Sequence, residues 1–210
     1  MLQIRDVVTS DNLARLEKAL TAGNWTEGQL ANAKARADLS KLILEAAHDN
    51  GKLLSAALPV KTSTPMIRRF ETDSAVPSYV TPAIQSLQDE AEGKLRTDLA
   101  ATLFLSQPGD YDGGELIVGI PYNEQLIKLP AGHLFLCPAG ELRGVRTVTR
   151  GLCFVATFWI QSMVRDNAQR RILFELDSSV QELREAIPDH LSVAKLTGVY
   201  NNLLRYWARP

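Results

Sequence analysis

The amino-acid sequence predicts an α+β protein with a mainly β core, a sandwich or barrel of short strands that has helices before and after it. Between residues 57 and 161, short segments with strand-like alternation follow one another, separated by turns rich in glycine, proline and aspartate. Segments with a helical spacing of leucine, isoleucine and valine precede and follow this region. The length of 210 residues suits one compact domain with a real core.

The composition argues against several classes of partner. Hydrophobic residues at 45% and charged residues at 22% are typical of globular proteins. The net charge of -1 gives no electrostatic basis for nucleic acid or an anionic membrane as the main partner. No segment has the pattern of a signal peptide or the length of a membrane span. The two cysteines, Cys137 and Cys153, have no metal-type spacing, so we expect free thiols and a cytoplasmic location.

The first third of the chain is predicted to be mostly helical. Residues 1–8 alternate weakly and are expected to form an edge strand. The spacing of leucines predicts a helix over about residues 11–22 and a second, longer helix over about residues 26–50. Residues 57–65 are expected to be extended, and residues 66–70 to form a strand.

The middle of the chain carries the clearest strand pattern. Residues 98–105 place apolar residues on both alternating faces, as in a strand that is covered on both sides. Residues 106–114 are rich in turn formers, and residues 115–120 begin a second strand, so we predict a β-hairpin with a long tip. Further strands are predicted at residues 124–129, 133–137, 145–149 and 152–161. The last two of these are expected to pair as a final hairpin.

Two segments are less regular. Pro77 and Pro82 permit at most a short edge strand over residues 78–81. Residues 83–92 are polar and are expected to form a helical turn or a loop. Beyond the last strand the spacing of apolar residues becomes helical, with an interruption at Pro188.

Several blocks of the sequence resemble the bacterial PKHD-type hydroxylases, which are iron(II)- and 2-oxoglutarate-dependent dioxygenases related to prolyl 4-hydroxylase domains. The blocks are Arg96–Ser106, Tyr111–Leu116, Lys128–Gly132, Val148–Gly151 and Phe158–Asp166, with Ser55–Pro59 and Leu196–Arg205 matching as well. The resemblance covers nearly the whole chain. It implies a double-stranded β-helix domain with N-terminal helices over residues 1–163 and a C-terminal helical extension over residues 164–210, packed as one structural unit.

The chemistry of that family does not carry over to this sequence. The family binds iron through a His-x-Asp pair and a distant second histidine, and binds 2-oxoglutarate through an arginine. Aligned through the matching blocks, the His-x-Asp pair falls on Tyr79 and Thr81, the second histidine on Arg143 and the arginine on Cys153. Neutral tyrosine and threonine are poor ligands for ferrous iron, and Arg143 is a permanent cation that repels it. We therefore expect a degenerate active site that binds neither metal nor 2-oxoglutarate.

A second departure from the family lies between Trp25 and the following helix. The resemblance implies a longer loop there, over the mouth of the active site. In this chain Trp25 runs almost directly into residues 29–34, so much of that cover is expected to be missing.

A rebuilt metal site is the alternative to a degenerate one. His133 and Cys137 share one face of a predicted strand, and Glu141 follows in the next loop. The interpretation we favour is that His133 belongs to a turn and that Cys137 is a small core residue, because free cysteine is usually buried.

The pocket implied by the resemblance is expected to be basic. Arg143, Arg146 and Arg150 lie close together in sequence and could hold a small anionic molecule, although solvated loop charges would give the same pattern. The ligand-binding candidates of this vestigial pocket are Tyr79, Thr81, Arg96, Arg143, Arg146 and Cys153.

Three classes of function stay open. The first is a non-catalytic binding or regulatory homologue, acting as a homodimer or paired with an active paralogue through the helices by which the family tends to self-associate. The second is a metal-independent enzyme in which Tyr79, Arg143 and Cys153 act as acid, anion holder and thiol. The third is an active iron(II)/2-oxoglutarate-dependent hydroxylase whose ligands lie elsewhere in the chain.

Overall fold

The computed structural model describes residues 1–87, 93–119 and 124–209. Within these ranges three helices precede most of the strands and two follow them. The helices are α1 (Ser10–Ala22), α2 (Ala33–Asp49), α3 (Gly51–Ala57), α4 (Asn167–Ala186) and α5 (Leu191–Trp207). None of the helices in the described ranges is long and apolar enough to cross a membrane.

Short strands make up most of the chain between the helices. The strands are β1 (Leu2–Ile4), β2 (Trp25–Thr26), β3 (Gln29–Leu30), β4 (Pro59–Thr62), β5 (Met66–Phe70), β6 (Val76–Tyr79), β7 (Ile84–Ser86), β8 (Lys94–Arg96), β9 (Leu99–Phe104), β10 (Tyr111–Asp112), β11 (Leu116–Val118), β12 (Gln125–Ile127), β13 (Leu134–Pro138), β14 (Arg143–Val145), β15 (Arg150–Gly151) and β16 (Cys153–Ser162).

Two antiparallel sheets face each other. The larger sheet has the order β1-β13-β9-β16-β5-β3-β2, with β4 also paired to β16, and the smaller has the order β12-β11-β14-β6. The chain crosses repeatedly between the sheets, since β9, β13 and β16 belong to the larger, and the β11–β12 pair and β14 to the smaller. This repeated crossing is that of a double-stranded β-helix with flanking helices, so the predicted fold class is confirmed.

The apolar core has three parts. The first lies between the larger sheet and the N-terminal helices, where Leu16 and Ile43 pack with Leu103. The second lies between the two sheets and includes Phe104 and Val118. The third is a smaller cluster beneath α4 and α5. The larger sheet is therefore covered on both faces, and β9 at its centre is buried at every position.

The predicted hairpins of the β region are wrong. Strand β9 pairs with β13 and β16, whereas β11 pairs with β12 and β14 in the opposite sheet. Strands β14 and β16 are likewise in different sheets. The long turn-rich connection between β9 and β11 is a crossover between sheets, and it exceeds the two to five residues of an ordinary hairpin loop. An alternating pattern shows that a strand is covered, but it does not show which strand lies beside it.

The predicted helix over residues 26–50 is wrong at its beginning. Strands β2 and β3 form a tight hairpin, in which Glu27 and Gly28 have φ of 49° and 72°. Helix α2 begins only after Asn32, whose side chain accepts a hydrogen bond from the amide of Ala35. The predicted end is confirmed, because α2 ends at Asp49 with Asn50 as its C-cap. Asn50 also caps α3, since its side chain accepts a hydrogen bond from the amide of Leu53.

The segment between β6 and β8 differs in part from prediction. Strand β6 is a short edge strand of the smaller sheet, as expected. Strands β7 and β8 pair with each other where a helical turn or a loop was expected for residues 83–92. Residues 88–92 of that prediction lie outside the described residues.

Candidate functional site

Tyr79, Thr81 and Arg143 meet at the edge of the smaller sheet. Strands β6 and β14 pair so that Tyr79 lies opposite Arg143. The Arg143 Nη2 donates a hydrogen bond of 2.9 Å to Thr81 Oγ1, and it lies 3.4 Å from the Tyr79 hydroxyl. The Arg143 guanidinium also lies over the Tyr79 ring, with Cζ 5.5 Å from the ring centroid. The structure thus brings together the three residues that the alignment placed at metal-ligand positions.

Arg143 is a buried cation that has only neutral partners. Arg143 is 1% exposed, and its Nε atom is buried without a hydrogen-bond partner. No ion pair joins its guanidinium to a carboxylate in the described ranges. Burial of an uncompensated charge is costly, because hydroxyl groups and an aromatic ring replace only part of the lost hydration.

A cavity of about 110 Å³ lies between the two sheets beside Arg143. The residues that line it are Met66, Arg68, Phe70, Val76, Tyr79, Thr102, Phe104, Gly114, Leu116, Arg143, Gly144, Val145, Val155 and Thr157. Met66 and Tyr79 are more than a third exposed, so the cavity meets solvent beside them. No aspartate, glutamate, histidine or cysteine occurs among these described lining residues, so the ionised groups in the lining are both arginines.

Arg68 is the second arginine of the cavity, and sequence reasoning missed it. Along β5, Met66, Arg68 and Phe70 point into the cavity, while Ile67 packs into the core on the other face of the sheet. The alternation of this strand was the signal that could have identified Arg68. Arg68 lies opposite Val155 and Gln29 in the sheet, where the pairing is between backbone atoms. Its guanidinium has no hydrogen bond or ion pair to the described residues.

Comparisons with known proteins identify the family. Residues 167–209 match the sequence profile of the PKHD-type hydroxylase C-terminal domain. A PKHD-type hydroxylase of Xanthomonas campestris pv. campestris is 42% identical over 227 residues, which cover 99% of this chain and 99% of the relative. Another, from Bordetella pertussis, is 41% identical over 223 residues, with 99% and 98% coverage. The chain belongs to the PKHD-type hydroxylase family.

A solved structure supports the fold of this PKHD-type family member. An oxidoreductase of the 2OG-Fe(II) oxygenase family from Burkholderia pseudomallei superposes with a TM-score of 0.51 at 15% identity. The match covers 78% of this chain and 82% of the other. The likeness agrees with the double-stranded β-helix seen in the sheet topology.

The alignments with the relatives contain positions that this chain lacks. The alignment with the Xanthomonas protein extends over 227 residues, whereas this chain has 210. The relatives therefore contain residues that have no counterpart here. Where a longer loop was expected after Trp25, the structure has the tight β2–β3 hairpin.

The residues at the family's metal position do not fit a ferrous ion. Thr81 Oγ1 accepts hydrogen bonds from Arg143 Nη2 at 2.9 Å and from Trp159 Nε1 at 3.3 Å. A hydroxyl oxygen has two lone pairs, so none remains for a metal. The Arg143 guanidinium itself cannot act as a ligand and repels a cation.

The alternative metal site at His133, Cys137 and Glu141, which the structure describes, does not form. In the described part of the chain, no group of three or more histidine, cysteine, aspartate or glutamate side chains could hold a metal ion. His133 follows the turn at Gly132, and its Nδ1 lies 4.0 Å from a carboxylate oxygen of Asp6. Cys137 is a core residue of β13. Both placements agree with the interpretation favoured from the sequence.

Cys153, which the resemblance places at the position of the family's 2-oxoglutarate arginine, lies outside the described lining of the cavity. It is 1% exposed at the start of β16, opposite Phe70. Burial raises the pKa of its thiol to about 11. Its neighbour Tyr111 is completely buried, and its hydroxyl has no hydrogen-bond partner in the described ranges. Burial, and then the nearby Cys153, raise the pKa of the Tyr111 hydroxyl well above its usual value.

The other predicted arginines are not in the cavity. Arg96 forms a bidentate pair with Asp98, at 2.7 and 2.8 Å, and this hydrogen bond raises the pKa of the arginine. Arg146 follows β14 and is exposed. Arg150 is also exposed and pairs with Asp112. The run of three arginines in the sequence is therefore not a cluster in space, and only Arg143 reaches the cavity.

Proposed function

We propose that this member of the PKHD-type hydroxylase family is a non-catalytic binding or regulatory homologue. It keeps the double-stranded β-helix and has lost the iron and 2-oxoglutarate chemistry of the family. The observation that carries the proposal is the buried Arg143 guanidinium, hydrogen-bonded to Thr81 where the family has metal ligands. At an effective dielectric constant near 20, a divalent ion about 4 Å from this cation would be repelled by roughly 8 kcal/mol.

A small anionic ligand in the cavity is part of this proposal. Arg68 and Arg143 enter the cavity from opposite sheets, and no acidic side chain occurs among the described lining residues. The charge of the cavity therefore favours an anion over a metal cation.

Self-association, or pairing with an active paralogue, is also part of the proposal. The PKHD-type C-terminal profile covers α4 and α5. Helix α5 presents Leu191, Val199 and Tyr206, which are 65%, 47% and 78% exposed. Light scattering of the purified protein, alone and mixed with an active relative, tests this part.

The metal-independent enzyme has less support. It needs a reactive thiol beside Tyr79 and Arg143, but Cys153 has a pKa of about 11 and is not among the described lining residues. A thiol with that pKa is almost entirely protonated near neutral pH, and the thiolate is the reactive form.

Turnover of 2-oxoglutarate tests the proposed function. The protein is supplied with Fe²⁺, ascorbate, oxygen and 2-oxoglutarate, and succinate is measured against a sample that contains no protein. The Xanthomonas relative, purified in the same way, is the positive control. We expect no succinate above background. Formation of succinate that depends on added iron and stops with a chelator would contradict the proposal.

A further inference from the structure

The buried charge of Arg143 has no counterion among the residues that the structure describes. Its hydrogen bonds go to hydroxyl groups, and its Nε donor is buried without a partner. The neighbouring thiol of Cys137 does not supply a negative charge, because burial raises its pKa to about 11 even though Arg143 acts in the opposite direction. A guanidinium that is 1% exposed, with one free donor and no ion pair to the described part of the chain, is a ready site for an external anion.

The wall opposite Arg143 adds donors to the same space. Arg68 lines the cavity from β5, and its guanidinium has no partner in the described ranges. Thr102 and Thr157 are directly opposed on β9 and β16 and also line the cavity. Hydroxyl groups can donate as well as accept, so the lining offers two guanidinium groups and two threonine hydroxyls to one small volume.

We infer that this cavity binds a small oxyanion between Arg143 and Arg68. The inference rests on the proposed function and names the ligand class for the same site. Arginine pairs with carboxylates and with tetrahedral oxyanions through charged hydrogen bonds. Arg143 offers its free Nε donor for this, and Arg68 offers a guanidinium without a partner in the described ranges.

The volume of the cavity limits the ligand. At about 110 Å³ it is smaller than the roughly 300–1,000 Å³ of pockets for larger organic ligands. It suits a compact anion, such as acetate, formate, sulfate or phosphate. A ligand with two separated carboxylates, such as 2-oxoglutarate, is disfavoured.

Thermal unfolding in a series of sodium salts at constant ionic strength tests the inference. The probes are formate, acetate, sulfate and phosphate, with chloride as the reference and a chelator in every sample. A specific anion should raise Tm in a saturable way, by about 5–10 °C at a hundredfold excess over its Kd. Comparing the Tm shifts of the carboxylates with those of the tetrahedral anions shows which of the two classes the site prefers.

Three arginine variants separate a specific site from a general salt effect. Arg143→Gln should abolish the saturable shift and Arg68→Gln should weaken it at least tenfold. Arg146→Gln, which changes an exposed arginine just beyond β14, should leave it unchanged. If Arg143→Gln does not fold, Arg68→Gln alone decides, because Arg68 is only partly buried.

Two results would overturn the inference. One is the absence of a saturable shift with every anion, and the other is an equal shift in the wild type and in the Arg68→Gln variant. Metal binding is measured separately. A protein that binds neither metal nor anion would overturn this inference and leave the proposed function standing, whereas a protein that binds iron would overturn the proposed function itself.

Discussion

The side chain of Arg143 donates to the hydroxyl of Thr81 across 2.9 Å, and the two residues come from strand β14 and from the segment just after β6. The same hydroxyl accepts from the indole of Trp159, on the larger sheet. Arg143 thus takes part in a hydrogen-bond network that spans both sheets. The network occupies the position at which the resemblance to the PKHD-type hydroxylases implies a metal.

Replacement of Arg143 by methionine is expected to leave stability unchanged or to raise it when no oxyanion is present. The substitution removes a buried charge that has no carboxylate partner in the described ranges, while Thr81 Oγ1 keeps its hydrogen bond from Trp159. Replacing buried charges by apolar side chains of similar volume is often neutral or stabilising by about 1–4 kcal/mol. Urea unfolding in dilute buffer measures the effect.

The control for this prediction is Arg170→Met, in α4. Arg170 is also buried, but it donates to the carbonyl oxygens of Val164 and Arg165, so the variant should be destabilised. A loss of several kcal/mol in Arg143→Met would show that the guanidinium has partners that stabilise it.

The ion pair of Arg96 and Asp98 is expected to stabilise the fold rather than to bind a ligand. Asp98 accepts two hydrogen bonds from Arg96 and one from the amide of Ser162. It therefore joins the segment before β9 to the end of β16. Asp98→Ala should reduce the free energy of unfolding by about 2–3 kcal/mol, because charged hydrogen bonds are lost and buried donors are left without partners.

Asp112→Ala is the matched control for Asp98→Ala. Asp112 also forms a bidentate pair with an arginine, but both side chains are more than half exposed. Exposed ion pairs contribute little because water and salt screen them. Urea unfolding of both variants tests the contrast, and equal losses would contradict it.

Stability is expected to fall at alkaline pH because of the two buried thiols. Burial raises the pKa of Cys137 and Cys153 to about 11, above the ordinary value of a thiol. The two thiols ionise at a lower pH in the unfolded chain than in the folded protein. The free energy of unfolding is therefore constant with respect to these thiols below about pH 8.5, and it falls as the pH rises towards 11. The full loss, reached at about pH 11, amounts to about 3 kcal/mol for each thiol.

Urea unfolding at pH 7 and pH 10 measures this dependence in the wild type and in a Cys137→Ala/Cys153→Ala variant. The variant should lose less stability between the two pH values, although Tyr111 contributes in the same direction at the alkaline end. The same dependence in both proteins would show that the thiols are not its cause.

The fold class could be predicted from the sequence, and so could the proximity of Tyr79, Thr81 and Arg143. The blocks on either side of these residues match the family, so the strands that hold them are placed as in the family. It was insufficient for strand pairing. Residues 99–104 are buried on both faces, so their apolar pattern is compatible with any neighbouring strand. Only the long-range contacts of the folded chain place β9 beside β13 and β16.

The residues that line the cavity could not be predicted from their spacing in the sequence. Arg146 and Arg150 lie near Arg143 in the sequence, yet they are exposed. Arg68 is far from it in the sequence and lines the same cavity. The packing of one sheet on the other places Arg68 and Arg143 in the same cavity. Neither the local sequence pattern nor the density of charged residues predicts that packing. The pairing of Arg96 with Asp98, two residues away, was by contrast accessible from local sequence.

The central claim is that the family's metal site has been replaced by a hydrogen-bonded arginine on an otherwise retained scaffold. Tyr79 lies opposite Arg143, and Thr81 contacts it directly, so the three side chains converge. The triple variant Tyr79→His, Thr81→Asp and Arg143→His should therefore install two imidazoles and a carboxylate around one point. The double variant Tyr79→His and Thr81→Asp keeps the cation and is the matched control.

The most direct measurement is the binding of Mn²⁺, as a surrogate for ferrous iron, followed by electron paramagnetic resonance in the wild type and both variants. The account predicts one equivalent of bound Mn²⁺ in the triple variant and none in the wild type or the double variant. One equivalent bound by the wild-type protein, or none bound by a well-folded triple variant, would contradict it.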